Sequence, residues 1–147
     1  MDKIKIQNFL REYPNKPFPN FKLLSNDEAK EKEEIFRERL RLPIETTPLE
    51  LVQIIQEMGV SIPNIDAELD GFNLKSLMDD ITILPEKYVF INWYRFDVID
   101  EIGLDDLSEF FDDIWYPAVD HIDIFDQSHL WIISIDYSGN VSTLKFV

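Results

Sequence analysis

The apolar pattern of this chain changes period near residue 88, and that change constrains the fold more than any other feature. Up to Ile81 the apolar residues recur at helical spacing; from Tyr88 onward they form short β-branched and aromatic runs. Ile6, Phe9, Leu10 and Tyr13 mark one face of a short helix that Pro14 must end, and Pro14–Asn20 reads as an extended linker, so residues 1–24 are expected to form a helix-plus-linker arm. Ser25 and Glu28 make a capping box for a helix running to about Leu42. Its stripe of Ala29, Phe36 and Leu40 is thin, and its Glu28/Lys32 and Glu33/Arg37 pairs suit a helix on the surface. Thr47-Pro48-Leu49-Glu50 starts another helix, with Leu51, Ile54, Ile55 and Met58 on its buried face and Gly59 at its end. Asn73 caps a short helix bearing Leu74, Leu77, Met78 and Ile81, which ends before Pro85.

The second half reads differently. Tyr88–Tyr94 predicts a largely buried strand, and Asp106 and Glu109 are placed to cap a short helix around Leu107–Asp112. Ile122 and Ile124 alternate with His121 and Asp123, as in a strand with one wet face. Leu130–Tyr137, Ser138-Gly139-Asn140 and Val141–Phe146 spell a β-hairpin. Helices followed by strands predict an α+β fold in which N-terminal helices pack on a C-terminal antiparallel sheet. At 147 residues the chain fits one domain, residues 1–147, with 45% apolar residues to build a core.

Charge narrows the function. The net charge is −15, and it is unevenly spread: residues 1–45 are nearly balanced, whereas between Arg95 and Lys145 there are 12 acids and no Lys or Arg. Such a stretch repels a phosphate backbone, so direct nucleic-acid binding is not expected, and it steers basic proteins toward it. The absence of cysteine removes disulfides, thiol nucleophiles and thiolate metal sites, and fits a cytoplasmic setting. No signal-like or membrane-spanning apolar run is present.

The candidate functional residues are acids and aromatics. Asp105, Asp106, Glu109, Asp112 and Asp113 form a run that lacks the spacing and turn glycine of a calcium loop, and it reads as a solvated or partner-facing surface. Asp120, His121, Asp123 and Asp126 offer carboxylates and an imidazole, and strand alternation puts His121 and Asp123 on one face about 7 Å apart. Trp115 and Tyr116, in the loop before Pro117, are the aromatics best placed for an interface, with burial in the core as the competing reading. With only four glycines, the chain carries no phosphate-binding loop, no dinucleotide fingerprint, no H-E-x-x-H and no nucleophile elbow. No cofactor is expected.

Asp112-Asp113-Ile114-Trp115-Tyr116-Pro117, Asp123-Ile124-Phe125 and Trp131–Gly139 resemble the small acidic immunity proteins of bacterial polymorphic toxin systems. The resemblance covers about the last third of the chain and carries over no functional residue. What it implies is tight inhibitory binding of a cognate toxin, often a basic nuclease. The expectation is therefore a binding protein rather than an enzyme, facing a basic partner through Asp105, Asp106, Glu109, Asp112, Asp113, Trp115, Tyr116, Asp120 and Asp123. Two alternatives stand beside it: a carboxylate enzyme or divalent-metal protein using some of Asp112, Asp113, Asp120, His121 and Asp123, and a regulatory scaffold module. The pattern fixes no oligomeric state.

Overall fold

In the computed structural model, which describes residues 1–146, the helices are α1 (Lys3–Glu12), α2 (Asn26–Arg39), α3 (Pro48–Met58), α4 (Leu74–Asp80), α5 (Leu104–Glu109) and α6 (Phe111–Ile114). The strands are β1 (Phe21–Leu23), β2 (Val60–Asp66), β3 (Tyr88–Asn92), β4 (Ile99–Gly103), β5 (Ile122–Phe125), β6 (Trp131–Ile135) and β7 (Asn140–Lys145). All seven strands join one sheet in the order β1-β4-β3-β5-β6-β7-β2, and every pairing is antiparallel. The fold is α+β, with helices mostly in the first half and strands mostly in the second.

Strand alternation gives the sheet two apolar faces. On one, Val89, Ile91, Ile122, Ile124, Ile133 and Ile135 pack with Leu74, Leu77 and Met78 of α4, with Leu107 of α5 and with Phe111 and Ile114 of α6. On the other, Phe90, Phe125 and Ile132 meet Phe36 of α2 and Leu51, Val52 and Ile55 of α3. With helices on both sides, the middle strand β5 has no solvent-facing side and all four of its residues are buried. The wet face expected for this strand is instead an interior one.

The caps form where the sequence places them. Ser25 and Glu28 exchange both capping-box bonds, and Thr47 and Asn73 accept from the backbone N–H groups of Glu50 and Ser76. Glu33 and Arg37 pair at 3.0 Å, but Glu28 pairs with Lys22, and Lys32 turns inward to donate to Gln127. The α2 helix is thus polar outside yet plugs the second core with a fully buried Phe36. Residues 1–24 do not project as an arm: Phe9 is buried against Phe18 and Phe110, and β1 pairs with β4. Asp106 and Glu109 lie inside α5, whose N-cap is Gly103 without a side-chain cap.

Three strands escape the sequence reading. β1 is only three residues long, β4 reads Ile-Asp-Glu-Ile-Gly, and β2 contains Pro63 and is largely exposed. A proline is tolerated in β2 because it is an edge strand, with one side free of ladder bonds. The β6–β7 turn needs a glycine: Gly139 has φ +85°, and a Cβ there would stand 2.4 Å from Asp66 Oδ1. Among the described residues no helix is long and apolar enough to cross a membrane.

Candidate functional site

The acids expected to face a partner divide into two groups. Asp105, Glu109 and Asp112 are exposed, and Asp106 and Asp113 are half-buried at the rim of the same α5–α6 surface. Lys75 of α4 pairs with Asp105 at 2.7 Å, the one ion pair made by α5 or α6 among the described residues. Partial burial, and then the charges of Glu12 and Asp112, raise the Asp113 carboxyl above the usual carboxylate range. The same negative charge on Asp113 raises the Tyr13 phenol. This end of the molecule holds like charges against one another.

The other four expected partner residues make structural contacts. Trp115 is buried in the first core, stacked on Phe111 at 5.8 Å, with its indole N–H bonded to the Asp120 carbonyl. Asp120 is nearly enclosed: its carboxylate pairs with buried Lys5 and accepts from the Tyr116 backbone N–H at 2.8 Å. Lys5 Nζ also lies 3.7 Å from the centre of the Tyr116 ring, which leaves Tyr116 half-buried. Asp123 is wholly buried, because β5 is central and helices cover both faces. These side chains fix the loop after α6 and the middle of the sheet, and Trp115 and Asp123 present nothing to a partner. Asp126 is likewise interior, accepting from the Trp131 indole and from the Glu86 backbone.

Asp123 belongs to an arrangement the sequence reading missed. Register makes Asn92, Asp123, Ser134, Ser142 and Ser61 successive cross-strand partners on β3, β5, β6, β7 and β2. Directly opposed residues share a face, so a polar row crosses five strands on the α2–α3 side. Ser134 Oγ donates to Asp123 Oδ1 at 2.6 Å, and Asn92 Nδ2 donates to Asp123 Oδ2 at 3.3 Å. His121 sits two residues before Asp123 on the same face, as strand alternation requires, with Nε2 3.9 Å from Oδ1. Burial raises the Asp123 carboxyl above the usual range, while His121, Ser134 and Asn92 pull it down. The signal was present in the sequence: each of Asn92, Asp123 and Ser134 interrupts an apolar run.

At its outer end the row opens into a cleft of about 380 Å³ beside the C-terminal end of α3. His121 forms part of its wall, with Tyr94 and Tyr137 rings 5.5 and 5.8 Å away. Gln56 Nε2 lies 2.9 Å from His121 Nε2 and 3.3 Å from His121 Nδ1, so the amide packs along the edge of the imidazole. Asp136 and Asn140 form the rim on the β6–β7 turn, where Asn140 Nδ2 donates to Asp136 Oδ2 at 3.0 Å. His129, in contrast, is packed on Phe36 and Phe125, and burial lowers its pKa below the ordinary 6.5. No group of three or more His, Asp or Glu side chains is positioned to hold a metal among the described residues.

The fold and site define an α+β protein with an antiparallel sheet between two helical layers, an acidic helical surface on one side and a polar cleft on the other. Compared with family models, curated proteins and solved structures, the chain matches none.

Proposed function

We propose that this protein binds a basic protein partner through the α5–α6 surface, as an immunity or inhibitor protein that neutralises a toxin such as a nuclease. The observation that carries this reading is the crowding of Glu12, Asp112 and Asp113 beside exposed Asp105 and Glu109, with Lys75 as the one paired base. Repulsion stored in such a surface is relieved when a cationic surface docks, and the same field speeds encounter. A basic site that grips a phosphate backbone has the complementary charge, so covering it would exclude nucleic acid. In this reading the protein performs no chemistry of its own and works in the cytoplasm.

The test is capture from the lysate of the native host at low and high salt, with the unmodified protein and with the Asp105→Lys, Glu109→Lys, Asp112→Lys variant side by side. A basic protein held by the first, lost from the second and eluted by salt is the expected result. Equal capture by both proteins would remove the α5–α6 surface from the account.

A further inference from the structure

The cleft at the end of the polar row lies on the α2–α3 side of the sheet, away from the α5–α6 surface, and the reading above leaves it unused. Its chemistry is one-sided. Its lining includes the Asp136 carboxylate and no Lys or Arg, and the Asp123 carboxyl lies directly behind Ser134 and His121. Two tyrosine rings, with centres 6.4 Å apart, stand at the cleft. The amide groups are turned to the same effect. Gln56 directs its nitrogen at His121 and Asn140 directs its nitrogen at Asp136, so no donor among the described residues reaches Gln56 Oε1 or Asn140 Oδ1. These oxygens, and the hydroxyls of Ser61 and Ser142, can all accept hydrogen bonds.

We propose that this cleft is a receptor site for one organic cation of the guanidinium class. Aromatic faces attract such a cation through the ring quadrupole, and its planar fork of N–H donors matches convergent carboxylate and amide oxygens. Tyr94 already does this on a small scale, with the Arg95 guanidinium 5.9 Å from its ring centre. An anion would meet Asp136 and the net charge of −15, and finds no cationic side chain in the lining. The pocket volume suits a small ligand or a single side chain.

The experiment is NMR titration of the full chain with methylguanidinium, following the ring protons of Tyr94, Tyr137 and His121, with urea as a neutral planar control. Methylguanidinium should give saturable shifts at these three residues, and urea at equal concentration should not. Tyr137→Ala and Asp136→Asn should each weaken binding roughly tenfold, while Asp105→Asn, Glu109→Gln, Asp112→Asn on the opposite face should leave it unchanged. Folding of each variant is checked in the same spectra. Absence of shifts, equal shifts with urea, or shifts that survive both cleft substitutions would overturn the proposal. Loss of binding in the opposite-face variant would show that the cation reads only the acidic α5–α6 surface, and would overturn it too.

Discussion

Ser134 Oγ donates a 2.6 Å hydrogen bond to Asp123 Oδ1 in the middle of the sheet, where both side chains are buried. A buried carboxyl needs such partners, since burying an unpaired polar group costs about 1–3 kcal/mol. Ser134→Ala should therefore destabilise the protein by about 1–3 kcal/mol in urea unfolding. A change within a few tenths would mean that the bond adds nothing to stability.

Asp123 also gives a pH signature. Burial raises its carboxyl pKa in the folded chain. The folded state thus holds the proton to higher pH than the unfolded state, and stability falls as pH rises from the ordinary aspartate range toward the folded-state value. Asp123→Asn imitates the protonated side chain and should flatten that decline, leaving the variant at least as stable as the unmodified protein above it. Urea unfolding across pH 4 to 9 reads this directly. A large loss of stability in the variant at neutral pH would mean that Asp123 is ionised in the folded chain.

His129 acts in the opposite direction. Its pKa is lowered by burial and then by the Lys32 charge, so the folded chain resists protonating it. Its contribution to stability is fully present above the ordinary value of 6.5 and is lost as pH falls through the depressed folded-state value. His129→Asn suits the left-handed backbone at φ 54° and should flatten stability on the acid side of 6.5. An unchanged acid slope in thermal melts would remove His129 as its source.

Phe36 brings α2 into the second core. Phe36 is fully buried and touches Phe96, Phe125, His129 and Phe146. Phe36→Ala should cost about 3–5 kcal/mol. A cost typical of an exposed helix position would contradict its placement.

What the sequence made legible was local. Ser25, Thr47 and Asn73 announce helix starts because capping is settled within three residues, and the β6–β7 hairpin is visible because its turn demands Gly139. The burial of Phe36 was hidden because a thin stripe on a charged helix does not reveal what it plugs. Strand β2 was hidden because Pro63 and exposure belong to its edge position, which only the finished sheet defines. Asp123 looked solvated for the same reason: alternation places it with His121, but the helices that enclose that face come from residues 26–58. Of the candidate site, the exposed run Asp105, Glu109 and Asp112 was legible, whereas the row from Asn92 to Ser61 depends on long-range register.

In the function proposed here, the α5–α6 acids steer a basic partner onto this protein. The most direct measurement is the association rate with that partner as a function of salt, for the unmodified chain and for Asp105→Lys, Glu109→Lys, Asp112→Lys. Slower association of the variant at low salt, a flatter salt dependence, and convergence of the two proteins at high salt are expected. Identical rates at low salt would contradict the proposal.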